Sequence, residues 1–183
     1  MMTLTSPAIA APEASEYAPY FGRYIALVEG NDVVQALERQ GTETVAMLSG
    51  LSEQQGGYRY APDKWSLKEV LGHVTDSERI FAYRALRIAR NDATPLRGFE
   101  QDDYVRAAMF GNRTLVDLLD EFTAVRRASL LLFRSLDAQA WVRRGIANER
   151  EVSVRALAYI TAGHELHHRR MIQEKYLAAG AVR

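Results

Sequence analysis

The chain has 183 residues, 48% hydrophobic and 25% charged, which suits one globular domain with a sizeable core. Lys and Arg together number 23, as do Asp and Glu, so no basic excess favours nucleic-acid binding. There is no cysteine, so any metal must be bound through nitrogen or oxygen. We recognise neither a membrane span nor a secretory signal, and we therefore expect no membrane partner and a cytoplasmic location.

An N-terminal arm precedes the predicted helical domain. Residues 1–19 include three prolines among alanines and serines, which predicts a loose segment. An aromatic cluster follows, comprising Tyr17, Tyr20, Phe21 and Tyr24. This cluster predicts that the arm packs across the body of the protein. We therefore divide the chain into an arm of residues 1–30 and a helical domain of residues 31–183.

Four long segments carry apolar residues at helical spacing. They run from about Asp32 to Ser49, from Ser66 to Arg90, from Asn112 or Thr114 to Leu136, and from Ser153 to Ala178. Asp32 is suited to cap the first helix, and Ser66 with Glu69 fits a capping box at the start of the second. Gly41 interrupts the apolar face of the first helix and predicts a close contact with another helix.

The segments between these helices are predicted to be connections. Residues 54–64 and 137–149 are expected to be irregular, and a short helix is expected at about residues 100–109. Four amphipathic helices without an alternating strand pattern predict an all-α four-helix bundle. The connection between the second and third helices is long enough to be a crossover along the bundle.

Histidines are the candidate functional residues. Of the four in the chain, His164, His167 and His168 lie close together on the last helix, and His73 lies on the second. His164 and His168 are four residues apart, so their side chains share one apolar helix face. Buried imidazoles need hydrogen-bond partners or a shared metal ion, and a third imidazole from a facing helix would complete a three-histidine site.

Other interpretations of these histidines stay open at this point. Each could be a hydrogen-bonded core residue without a ligand. His167 could replace His168 as the partner of His164, or it could be a solvated neighbour. Glu69 and Asp76 flank His73 at helical spacing and could orient its ring, although both also fit a solvated face.

Two motifs resemble those of the DinB-like (YfiT-like) family of metal-binding four-helix bundles. Residues 64–76 resemble the family pattern Trp-Ser-x-Lys-Glu-x-x-x-His-x-x-Asp, and the second motif is His164-x-x-x-His168. The resemblance covers residues from about 31 to 178. It implies that the metal ligands are His73, His164 and His168. It also implies a divalent ion, commonly zinc or nickel, with open positions facing solvent.

The resemblance implies several activities. Members of the family include transferases that use low-molecular-weight thiols such as bacillithiol or mycothiol, and a maleylpyruvate isomerase. Because this chain has no cysteine, a thiolate would have to come from a cosubstrate. Arg84, Arg87 and Arg90 could hold the carboxylates of that thiol or could form a solvated face. The resemblance also favours a homodimer and a small-molecule substrate.

Two alternative functions remain. Residues 164–168 satisfy the H-E-x-x-H pattern of zinc peptidases, in which Glu165 would be the general base. Against this, no histidine downstream of His168 supplies a third ligand. The other alternative is a non-enzymatic metal-binding stress-response protein, because metal ligation alone does not imply catalysis.

Overall fold

The computed structural model describes residues 8–178, most of which are helical. The helices are α1 (Gly22–Ile25), α2 (Val33–Leu48), α3 (Glu53–Gly57), α4 (Leu67–Ala89), α5 (Gln101–Ala108), α6 (Leu115–Arg134), α7 (Ala138–Val142) and α8 (Val154–Met171). Two antiparallel strands, β1 (Arg144–Ala147) and β2 (Arg150–Ser153), precede α8. Short 3-10 turns are formed by Ala14–Glu16, Pro19–Phe21 and Phe110–Asn112, and Ile172–Tyr176 form a π-helical turn.

Helices α2, α4, α6 and α8 form the predicted four-helix bundle, in which α4 and α2 each pack against both α6 and α8. The predicted starts are confirmed for all four. Asp32, Ser66, Thr114 and Ser153 are the N-cap residues, each accepting a hydrogen bond from a backbone N–H of the first turn. The capping box of Ser66 with Glu69 is also present.

The apolar core is divided into two clusters. The first contains Leu37, Phe81, Leu130, Phe133 and Leu157, and the second contains Leu48, Leu71, Leu118, Phe122 and Ile172. Helices α2 and α8 therefore run from the first cluster to the second, and α4 and α6 run in the opposite direction. Because α4 and α6 are parallel, residues 90–114 must return along the bundle, which confirms the predicted crossover connection.

The connection before α8 is more regular than predicted. Residues 137–149 contain α7 and strand β1, which pairs with β2. Asn148 and Glu149 both have positive φ, 51° and 63°, as a two-residue hairpin turn requires. Four-residue strands are too short to show an alternating pattern, and Glu149 stands where glycine is the usual signal. The connection between α2 and α4 likewise contains a short helix, α3, that the sequence analysis did not predict.

The end of the last helix also differs from the prediction. The α-helix ends at Met171, and a π-helical turn follows to Tyr176, short of the predicted end at Ala178. The Tyr176 hydroxyl donates a hydrogen bond of 2.6 Å to the carbonyl oxygen of Trp65. The turn therefore attaches the end of α8 to the residue just before the cap of α4.

The arm is packed on the body from residue 8 onwards, as the aromatic cluster predicted, and the described part of the segment predicted to be loose is anchored by a buried residue. Glu16 is buried, and it accepts hydrogen bonds from Ser153 Oγ and Arg155 Nε, both at 2.7 Å. Helix α1 packs against α8. Residues 1–7 and 179–183 lie outside the described residues. The division of the chain at residue 30 stays a prediction. Within residues 8–178, no helix has both the length and the apolarity to cross a membrane.

The Glu16 contact predicts a pH-dependent stability. Burial alone raises the pKa of Glu16, but the hydrogen bonds from Arg155 and Ser153 outweigh it and lower the pKa to about 2. The ionised carboxylate therefore stabilises the fold above its usual pKa of 4.5, and this stabilisation is lost as the pH falls towards 2. We expect Glu16→Gln to lower the free energy of unfolding by about 2 kcal/mol at pH 7, measured by urea denaturation.

The difference between Glu16→Gln and the wild type should shrink when the measurement is repeated at pH 3. The matched control is Glu151→Gln, which breaks the exposed ion pair with Arg144 and should cost less than about 1 kcal/mol. A Glu16→Gln effect as small as that of the control would contradict the prediction.

Candidate metal centre

The three predicted ligands lie together between α4 and α8. His73 Nε2 is 3.1 Å from His164 Nε2, and His168 Nε2 is 3.2 Å from the same atom. One nitrogen from each ring lies within 4.8 Å of the other two, and this group could hold a metal ion. All three side chains are buried. The structure therefore brings together the three histidines that the sequence analysis selected.

The distances fit a metal with imidazole ligands. Zinc–nitrogen bonds of about 2.0–2.1 Å in a tetrahedral site place pairs of ligand nitrogens about 3.3 Å apart. The two separations from His164 Nε2, 3.1 and 3.2 Å, come close to this value. The donor set is three imidazole nitrogens, which suits zinc, nickel or copper better than calcium or magnesium.

Burial also keeps these imidazoles neutral, as metal binding requires. It lowers the pKa of His73 to about 4. It lowers the pKa values of His164 and His168 well below the ordinary value, and the neighbouring imidazoles lower them further. His168 Nδ1 is buried and has no hydrogen-bond partner within residues 8–178. At neutral pH the three rings are therefore uncharged and have lone pairs available for a cation.

Aromatic rings surround the histidines. The ring of Trp65 lies 4.8 Å from that of His73, and the rings of Tyr24 and Phe81 lie 5.5 and 5.8 Å from that of His164. Tyr24 can approach α8 this closely because residue 163 is glycine. A Cβ at that position would overlap the carbonyl oxygen of Tyr24. The sequence analysis did not assign Tyr24 to the site. Its only signal was the aromatic content of the arm, which does not say where the arm docks.

The other candidate residues near the histidines are placed elsewhere. His167 is outside the group of three, and its ring packs 5.3 Å from that of Tyr24. Glu69 accepts hydrogen bonds from the Ser66 N–H and Arg59, and Asp76 accepts one from Arg79. Neither carboxylate forms a hydrogen bond with His73 among residues 8–178, so the structure does not support the suggestion that they orient its ring.

A cavity of about 290 Å³ opens beside the histidines. The arm, α4, α8, the crossover connection and the hairpin all contribute to its wall. Side chains along it include those of Tyr24, His73, Ser77, Phe81, Arg84 and His164. The candidate metal centre is therefore accessible to a small molecule, although the three histidines themselves are buried.

Glu165 belongs to a buried ion cluster at the centre of the bundle. Arg126 Nη2 is 2.8 Å from an oxygen of Glu165 and also 2.8 Å from one of Glu78. Thr44 Oγ1 donates a hydrogen bond of 2.6 Å to the other oxygen of Glu165, and Arg126 Nη1 donates one of 2.8 Å to the carbonyl of Leu37. Both oxygens of Glu165 are therefore engaged away from the histidines.

The sequence analysis missed this cluster. Arg126 lies four residues after Phe122 on an apolar face, and Glu78 lies four residues after Val74 on another. A charged residue at such a position is a signal for a buried ion pair, but it does not identify the partner. The predicted close contact at Gly41 is part of the same arrangement, because a Cβ there would lie 3.0 Å from Arg126 Cγ.

The fold and the site define a helical bundle with a candidate three-histidine metal centre next to a small-molecule cavity. The family model of the DinB superfamily matches residues 36–172, and the chain belongs to that superfamily. This confirms the resemblance found in the two motifs.

A solved structure supports the same fold. The chain is similar to YfiT from Bacillus subtilis, described as "a probable metal-dependent hydrolase with an unusual four-helix bundle topology". The match has a TM-score of 0.71 and 15% sequence identity, and it covers 91% of each chain. At this identity the likeness establishes the fold alone. No curated protein sequence matches the chain.

The ion cluster predicts a marked asymmetry between two substitutions. Arg126→Met leaves two buried carboxylates without a cation, and we expect it to lower the free energy of unfolding by about 3–5 kcal/mol. Glu165→Gln leaves the pair of Arg126 with Glu78 and should cost roughly 1–2 kcal/mol. Urea denaturation of the purified variants measures both values.

Arg134→Met is the matched control, because Arg134 lies on α6 like Arg126 but forms an exposed ion pair, with Glu38 of α2. It should cost about 1 kcal/mol or less. The prediction fails if Arg126→Met is no more destabilising than Arg134→Met.

Proposed function

We propose that the protein is a metal-dependent enzyme that acts on a small molecule. In this proposal His73, His164 and His168 hold one divalent ion, with zinc or nickel expected. The observation that carries the proposal is the convergence of three neutral imidazole nitrogens beside a cavity. Three protein ligands would leave further coordination positions for a reactant, as in catalytic metal sites.

The ion and the chain have separate tasks in this proposal. When bound, the ion would lower the pKa of a coordinated nucleophile or polarise a carbonyl group. The three imidazoles stay neutral and supply the ligating nitrogens. The rings of Tyr24, Trp65 and Phe81 pack around them and limit the access of water. Ser77 and Arg84 provide polar groups along the cavity for positioning the substrate.

We propose a low-molecular-weight thiol as the nucleophile, which makes the reaction a thiol transfer. This choice is supported by the motifs shared with thiol-dependent members of the family. The chain contains no cysteine, so the sulfur must enter with a cosubstrate.

Hydrolysis, with water in place of the thiol, is the second candidate, because YfiT is described as "a probable metal-dependent hydrolase". Glu165 is poorly placed to act as the base of such a reaction. Its oxygens accept hydrogen bonds from Thr44 and Arg126 in the core. A peptidase mechanism of the H-E-x-x-H type therefore has no support from the geometry, although His164 and His168 satisfy the pattern.

The homodimer and the cytoplasmic location stay predictions. Val116 and Leu131 on α6 are exposed apolar side chains that an interface with a second copy could cover.

The first test is metal content. We expect the protein to bind about one divalent ion per chain, measured by elemental analysis after dialysis. Replacing His73, His164 or His168 by alanine should weaken the affinity by roughly a hundredfold or more, because each removes one of three ligands. His167→Ala is the matched control and should keep the affinity within a few-fold of the wild type.

Circular dichroism separates loss of the site from loss of the fold. The metal-free protein should remain helical, since the two apolar clusters form a core independent of the ion. Full metal occupancy in His73→Ala would refute the assignment of the ligands.

The second test identifies the nucleophile. We expect the metal-loaded protein to accelerate formation of a fluorescent thioether from cysteine and monochlorobimane. The rate should exceed that of His73→Ala by roughly a hundredfold, since a metal supplies several kcal/mol of charge stabilisation. Metal-dependent cleavage of p-nitrophenyl acetate without thioether formation would instead support hydrolysis. Stoichiometric metal binding without either reaction would support the non-enzymatic alternative.

A further inference from the structure

Arg84 lies on the same face of α4 as His73. The two residues are eleven positions apart. Over that length a helix rotates by about 20° more than three full turns, so the two side chains point in nearly the same direction. Their Cα atoms are therefore about 16 Å apart along the helix. Both side chains line the cavity, with Ser77 and Phe81 between them on the same helix. The cavity thus extends from the histidines towards a guanidinium group.

Arg84 is a buried cation without a carboxylate partner. The residue is only 6% exposed, and its Nη2 donates a hydrogen bond of 2.8 Å to the carbonyl oxygen of Arg97. No ion pair among residues 8–178 includes it. Burial lowers the pKa of Arg84, and Tyr104 opposes this only in part. A guanidinium has five N–H donors, so most of its hydrogen-bonding capacity remains for a ligand in the cavity.

Arg84 and Arg126 are the two buried arginines among residues 8–178, and they differ in their partners. Arg126 is similarly buried and is paired with two carboxylates, while Arg87, one turn along α4 from Arg84, is paired with Asp92. A buried charge is costly unless it is paired. The missing counterion at Arg84 therefore points to an anion that comes from outside the chain.

The acidic residues of the cavity do not fill this role. Glu100, Asp102 and Glu151 line it but are exposed at its rim, and Glu151 is paired with Arg144. Exposed charges are screened by solvent and salt, whereas a buried guanidinium is screened much less. The end of the cavity at Arg84 is therefore the place where an anionic group is favoured.

We propose that Arg84 binds a carboxylate of the substrate or cosubstrate, so that the cavity selects an elongated carboxylic acid whose reacting group lies at the histidines. A planar guanidinium matches a carboxylate through two parallel hydrogen bonds. The separation of Arg84 from His73 requires several bonds between the carboxylate and the reacting group. The inference deepens the proposed function, because it concerns the same cavity, but the anion contact itself does not need the metal.

The test uses the metal-free protein and calorimetric titration with three probes: 4-phenylbutyrate, its neutral amide 4-phenylbutyramide, and phenyl phosphate. The phenyl group suits the aromatic wall formed by Phe21, Tyr24 and Phe81. We expect the acid to bind at least tenfold more tightly than the amide, because only the acid forms charge-assisted hydrogen bonds with Arg84.

The variants assign that preference to one residue. Arg84→Gln should abolish the preference for the acid, and Arg84→Lys should retain part of it because the charge remains. Arg87→Gln is the matched control on the same helix and should change the affinity for the acid less than twofold. Circular dichroism checks that each variant is folded.

Three outcomes would overturn the proposal. The first is equal binding of the acid and the amide to the wild type, which includes no binding of either. The second is a preference for the acid that survives in Arg84→Gln. The third is binding of phenyl phosphate that is tighter than that of the acid and depends on Arg84, which would make this a phosphate site. Because the titration omits the metal, its result is independent of the metal-content test. Failure of the proposed metal site and failure of the carboxylate contact can therefore be told apart.

Discussion

Arg126 joins all four long helices at the level where the two apolar clusters meet. Its guanidinium reaches Glu78 on α4, Glu165 on α8 and the carbonyl of Leu37 on α2. The hydrophobic effect is non-directional, whereas a buried charge that loses its particular partner is strongly destabilising. The cluster therefore fixes the helices along their axes in a way that the apolar contacts alone do not.

The position of the histidines depends on this constraint. Glu78 is five residues after His73 on α4, and Glu165 is the residue next to His164 on α8. A shift of one residue along either helix would rotate its side chains by about 100° and separate the imidazoles. The charged cluster and the candidate metal centre thus occupy two faces of the same helices, and the same register satisfies both.

Features that depend on neighbouring residues could be predicted from the sequence. The helix starts at Asp32 and Ser66 follow from capping within a few residues, and the common face of His164 and His168 follows from helical spacing. Selection of His73 as the third member required the family resemblance as well, since helical spacing says nothing about contacts between different helices.

Contacts between distant parts of the chain could not be predicted in this way. Arg126 is 48 residues from Glu78, and Thr44 is 121 residues from Glu165. Tyr24 reaches His164 only because the arm crosses α8 at Gly163. Such contacts depend on how whole helices pack, and a single sequence contains no local signal for the choice of partner.

The arm has a consequence for how relatives of this protein can diverge. The family match begins at residue 36, yet Tyr20, Phe21 and Tyr24 form part of the cavity wall. The bundle supplies the three histidines, while a separate stretch of chain shapes the space in front of them. Mutation, or exchange of that stretch during evolution, can therefore alter which molecules enter without changing the three histidines. The wall of the cavity and the histidine cluster can evolve at different rates in this architecture.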